Sequence, residues 1–168
     1  MANVSRINGF KPVKHLNGSP YNGQANIYAT SASDGTALFV GDVVKLAADA
    51  NAQGIQHVTA AAAGTAGTGA AALGVVVGVI NTKLDPVAGR MSGGSISLDT
   101  PVYRAASTKQ YVLVADSPDL IFEAEADAAV AFATVGLNAD IGASAHTNPL
   151  LTGASPMYVY STTAPSAS

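Results

Sequence analysis

The chain has no cysteine and no tryptophan, and Lys, Arg, Asp and Glu make up only 11% of its 168 residues. Without cysteine there is no disulfide framework, no thiolate nucleophile and no thiolate zinc site. The charge-free stretch 60–80 has the length of a membrane span, yet Gly64, Gly67, Gly69, Gly74 and Gly78 divide it together with Thr65 and Thr68. It reads as a flexible connector followed by a β-branched run, Leu73 to Ile80. Residues 1–10 carry Asn3, Ser5, Arg6 and Asn8 where a secretory signal needs an apolar run, so no export through a membrane is expected. A chain of this length buries roughly two-thirds of its unfolded surface and supports one core without staples.

What fills the sequence instead is Ala, Gly, Ser and Thr, small side chains that are cheaper to desolvate than Lys or Glu. The sparse charge is also sorted by sign. Residues 1–33 hold Arg6, Lys11 and Lys14 and no acid; residues 110–168 hold Asp116, Asp119, Glu123, Glu125, Asp127 and Asp140 and no Lys or Arg. The formal net charge of -3 therefore divides into +3, 0 and -6 along the chain. This layout points to a molecule that lies against copies of itself or against a patterned protein surface.

The pattern predicts a mainly β protein, a barrel or sandwich, with an extended N-terminal arm and one short helix. Residues 1–30 read as the arm: Pro12 and Pro20 lack donors, Gly9, Gly18 and Gly23 follow asparagines, and no apolar period appears. Phe10, Leu16, Tyr21 and Tyr28 are then anchors that find pockets elsewhere. The β domain is expected over 31–160 and a flexible tail over 161–168. Strands are expected at 27–30, 38–40, 43–47, 55–60, 73–80, 95–98, 102–105, 110–115, 120–124 and 157–160. Asp116-Ser117-Pro118-Asp119 makes 110–124 the clearest hairpin, with both faces of Tyr111–Ala115 apolar and covered. Asp127 is placed to cap a helix over 128–135 that Gly136 closes.

The chemistry-bearing residues form no motif with a mechanism. His15, His57 and His146 stand at no helical metal-ligand spacing, and His57 in Ile55-Gln56-His57-Val58 reads as a hydrogen-bonded structural histidine. There is no Gly-x-Ser-x-Gly elbow, so an enzyme is not expected and no catalytic residue is assigned. The glycine-rich 64–69 lacks the Lys-Ser/Thr ending of a phosphate loop and the strand-to-helix setting of a dinucleotide fingerprint. Asp116, Asp119, Glu123, Glu125 and Asp127 match no calcium loop; they read as a partner-facing acidic surface, with the last three along one strand face. An isoelectric point near 5.4 argues against direct nucleic-acid binding. No cofactor or metal is expected.

Several segments together resemble the capsid decoration (cement) proteins of tailed bacteriophages. They are the head Met1 to Asn26, Phe39-Val40-Gly41-Asp42-Val43-Val44, Leu73-Gly74-Val75-Val76-Val77-Gly78-Val79, Pro101-Val102-Tyr103, Val114 to Glu123, and Val135-Gly136-Leu137-Asn138-Ala139-Asp140. The resemblance implies a barrel-like, jelly-roll-like or β-tulip-like domain on the outer surface of a virion, made in the host cytoplasm. It would be present in many copies, binding the major capsid protein and itself as a dimer or trimer. Arg6, Phe10, Lys11, Lys14 and Tyr21 of the arm would then be the capsid-binding residues. Members often carry further β segments after the region matching Thr152–Tyr160, so the barrel is complete in a shorter form or takes its last strand from another copy. Two other classes fit the composition: a tail, baseplate or surface-layer component, and a carbohydrate-binding β module, the latter weakened by the missing tryptophan.

Overall fold

The computed structural model describes residues 8–61, 71–80, 83–85, 90–92, 102–143 and 149–163. The protein is mainly β. Its described strands are β1 (Lys11–His15), β2 (Asn26–Ala29), β3 (Val43–Ala50), β4 (Gln56–Ala60), β5 (Gly74–Ile80), β6 (Lys83–Asp85), β7 (Arg90–Ser92), β8 (Tyr111–Ala115), β9 (Leu120–Glu123), β10 (Ala139–Ala143) and β11 (Met157–Thr163). Five of them close a barrel in the order β2-β4-β3-β5-β8. All its pairs are antiparallel except β2–β4, which meet in parallel through Ala29 and His57. Three two-stranded ribbons accompany it, β1–β9, β6–β7 and β10–β11.

Side-chain alternation along each strand explains the core. Val44, Val58, Val76, Val112 and Val114 form one cluster with Leu38, packed by Tyr28, Ala60, Leu73 and Val79. Their neighbours in sequence, Val43 and Val75, belong to a second cluster with Ala61 and Met157, covered by Phe10, Phe122 and Ile141. The start of β3 (Val43–Val44) and β5 are therefore covered on both faces, which is why they read as valine runs rather than as alternating ones. The second cluster draws on β9, β10, β11 and the segment before β1, so it ties the ribbons to the barrel.

Two polar knots hold the loops. Arg104 is fully buried, and its guanidinium donates to the carbonyls of Thr108 (3.0 Å), Ser31 (2.5 Å), Asp34 (3.0 Å) and Thr36. Asp34 lends a carboxylate 3.7 Å away. Burial pulls the Arg104 pKa down and the Asp34 charge opposes that shift. At the other knot Phe10 N donates to Gly41 O (2.9 Å) and Ser155 N to Val40 O (3.0 Å). Beside them the buried Asp42 carboxylate accepts from Phe39 N (2.8 Å), while the Ser155 hydroxyl accepts from Met157 N (3.0 Å). Burial pushes the Asp42 carboxyl up to about 6, against the opposing pull of the Ser155 hydroxyl and the Phe39 amide.

Four expectations change. Residues 8–30 are not an arm apart from the body: β1 pairs with β9, β2 is a barrel strand, and Phe10 packs on the chain's own core. Backbone pairing holds β1, and a register shift between Pro12 and Lys14 absorbs the proline, as edge strands allow. Residues 110–124 do not form a hairpin; the chain turns at Pro118–Asp119, but β8 joins the barrel and β9 pairs with β1. The helix over 128–135 is one 3-10 turn, Phe132–Thr134. Asp127 does not cap it: the turn starts after Ala131, and the Asp127 carboxylate accepts from Ser161 N of β11 (2.6 Å). That same strand runs on to Thr163, so 161–163 are not tail.

Segments 38–40 and 102–105 make only isolated bridges, Leu38 with Arg104 and Val40 with Ala154. The expected strand 95–98, the glycine-rich 64–69, Arg6, His146 and residues 164–168 lie outside the described residues. Among the described residues no helix is long and apolar enough to cross a membrane.

Candidate functional site

The four arm residues that the structure describes, Phe10, Lys11, Lys14 and Tyr21, do not form one surface. Lys11 and Lys14 are exposed on β1, whereas Phe10 is half-buried against Val43, Ala61, Val75 and Met157. Tyr21 spends its hydroxyl on the Gln24 carbonyl (3.0 Å), and burial raises its pKa. Tyr28 likewise stays at home, packing on the barrel core and donating to Asp116 Oδ2 at 2.6 Å. Burial and the Asp116 carboxylate push the Tyr28 phenol up to about 12. Of the arm's expected anchors only Leu16 remains well exposed, at 70%.

The five acids are equally dispersed. Asp116 is half-buried and accepts from Asn26 Nδ2 (3.0 Å) as well as Tyr28. Asp119 is exposed at the turn, and its carbonyl receives Leu16 N (2.8 Å). Glu123 ends β9 and stands opposite Lys11. The Glu125 carbonyl accepts from Val159 N (2.9 Å) and Asp127 is tied to Ser161. The single acidic strand face expected for 123, 125 and 127 is absent because the strand stops at Glu123.

The residues around them stand out more. Between Asp127 and Asp140 the sequence carries no charge. Both ends of this loop are fastened to the β10–β11 ribbon, by Asp127 N to Val159 O (3.0 Å) and by the start of β10. Inside it Thr134 N donates to Ala131 O (3.0 Å), Leu137 N to Thr134 O (3.1 Å), and Gly136 takes a positive φ of 85° that closes the turn. The loop is shaped by its own turns and buries no residue of the 3-10 segment. Val130, Phe132, Val135 and Leu137 consequently face solvent, Phe132 at 98% exposure. Four large apolar side chains on one fastened tip exceed the scattered exposure of an ordinary surface. Reading 128–135 as a helix hid this tip; the signal for it was the charge-free span itself.

A second feature lies at a mouth of the barrel. A cleft of about 460 Å³ is bounded by the Thr30–Ser31 step after β2, the 50–53 turn between β3 and β4, and Lys109–Tyr111 leading into β8. His57 of β4 is buried at its wall, with Nδ1 2.9 Å from Asp49 Oδ2 but off the line of a well-directed N–H bond. Asn51 shapes the turn: its Oδ1 accepts from Gln53 N (3.0 Å) and Ile55 N (2.8 Å), and its Nδ2 approaches the Tyr111 hydroxyl (3.4 Å). Among the described residues no three His, Asp or Glu side chains gather as metal ligands. Comparison with protein-family models, curated proteins and solved structures finds no match to this chain.

Proposed function

We propose that this chain is a decoration protein of a tailed-phage head, seated on the outer surface of the shell and clamping neighbouring copies of the major capsid protein. The observation that carries the reading is the fastened apolar tip at 130–137, with Phe132 98% exposed. Such a tip desolvates at little cost and supplies the aromatic anchor that dominates interface energetics. The low charge content and the resemblance of Val135 to Asp140 and of the other quoted segments to cement proteins support the same partner. Exposed Lys11 and Lys14 on β1 add a basic edge for an acidic coat surface.

A cement protein makes and breaks no covalent bond. It stabilises the mature shell because it binds that state better than a disrupted one. Two weak contacts suffice when one body carries both, since the second becomes effectively intramolecular, and self-association of the decoration protein repeats the gain.

The test is sedimentation with purified heads lacking this protein. Phe132→Ser combined with Val135→Ser leaves thermal unfolding unchanged and weakens co-sedimentation by roughly a hundredfold, the weight of an aromatic hot spot. A double variant that decorates heads as tightly as the parent, or a parent protein that binds tails and ignores heads, overturns the reading.

A further inference from the structure

We infer that the cleft between the 50–53 turn and the β8 approach binds a neutral, hydroxyl-rich ligand of saccharide class. The site lies outside the 130–137 tip and does not depend on the decoration reading. Its volume of about 460 Å³ falls within the range of small-molecule sites, which combine apolar walls with a few placed polar groups.

Charge narrows the ligand class. Lys109 is the one fixed charge among the lining residues and no carboxylate lines the cleft, so a cation finds no ligand there and an anion finds a single lysine rather than a cluster. The remaining polar lining suits hydroxyl groups. His57 adds an imidazole to the lining, with the Asp49 carboxylate 2.9 Å from its Nδ1. Gln53 is exposed at the tip of the turn and offers both an amide donor and a carbonyl acceptor. Ala29, Ala50 and Ala52 with the half-exposed Tyr111 ring provide the apolar contact that the C–H faces of a sugar need. Rigidity comes from Asn51, whose side chain holds the turn to its own backbone and approaches Tyr111.

The experiment titrates the full chain with D-glucose, D-galactose, N-acetyl-D-glucosamine and L-rhamnose, reading the ring resonances of His57 and Tyr111 by NMR. At least one sugar shifts both rings saturably in the millimolar range, and Gln53→Ala and Asp49→Ala each weaken it severalfold to tenfold. Gln53 is exposed on a loop, so its variant retains the fold and keeps the test decisive whatever Asp49→Ala does to stability. Inorganic phosphate, the anionic control, leaves both rings unmoved in the parent and in Lys109→Ala. The inference is overturned if no sugar moves the two rings, if the folded Gln53→Ala variant binds as tightly as the parent, or if phosphate binds and loses its site in Lys109→Ala.

Discussion

Lys11 stands directly opposite Glu123 across the antiparallel β1–β9 pair. The basic head and the acidic rear of the chain therefore meet inside one molecule, and part of the charge sorting seen along the sequence serves strand register rather than a partner. Both residues are exposed, so water and salt limit what the pair contributes.

Lys11→Glu should lower stability by about 0.5 kcal/mol at low salt, and adding Glu123→Lys should restore it. Urea unfolding of the parent, both single variants and the exchanged pair measures the coupling. A coupling that fails to shrink in high salt would show that the register is held by something other than charge.

Asp42 sets a pH dependence of unusual sign for a carboxylate. Its folded pKa of about 6 lies above the ordinary 3.8, so the folded protein holds the Asp42 proton more tightly than the unfolded chain. The contribution is fully present below the unfolded value, is lost as pH rises through the folded one, and amounts to about 3 kcal/mol between those limits. Asp42→Asn keeps an acceptor for Phe39 N and should be more stable than the parent at pH 7, with a flatter profile from about pH 4 to 6. Equal slopes for the two proteins in that window would contradict the burial argument.

Gly9 is the tightest point of the second knot. It has a φ of +71°, and a Cβ there would lie 2.5 Å from both Gly41 O and Ser155 Cβ. Gly9→Ala should cost at least ~3 kcal/mol, from backbone strain and overpacking together. Gly18→Ala, at φ +88° with open space around it, should cost only ~1 kcal/mol. Paired thermal melts distinguish the two, and equal losses would refute the close approach.

Arg104 is fully buried among loop carbonyls, three of which also accept from Asp34 N, Ser107 N and the Thr30 hydroxyl. Arg104→Met should destabilise by ~3–5 kcal/mol, because it removes a donor from four loop carbonyls at once and leaves the Asp34 carboxylate without its counter-charge. Arg104→Lys should recover little, since one ammonium cannot reproduce a fork aimed at several carbonyls. A Lys variant with the parent's denaturant midpoint would rule out the fork as the cause.

Local pattern was a sound guide where a strand's side chains decide its fate. The start of β3, the valine run of β5, the strand 56–60 and the start of β11 at Met157 all sit within a residue or two of where their apolar content places them, while β3 runs on three residues past the expected Ala47. Strands with little apolar content were invisible: β1, β6, β7 and β10 rest on backbone pairing, which leaves no period to detect. The turn at Pro118–Asp119 was legible as a turn, yet nothing nearby in the chain says that the strands it joins pair with different partners. The same holds for Asp127, a sound cap by its chemistry, which the distant Ser161 amide claims instead.

Composition and short-range order thus determined that this chain would be a cysteine-free, charge-poor β protein with valine-rich central strands, because those properties follow from side-chain chemistry and from the two-residue period of extended backbone. Only the tertiary structure decided that residues 8–30 belong to the body, that His57 meets Asp49 beside a cleft, and that Phe132 is left on an uncovered tip. Each of those outcomes depends on which segments distant in sequence arrive at the same place, and local preference carries no term for that.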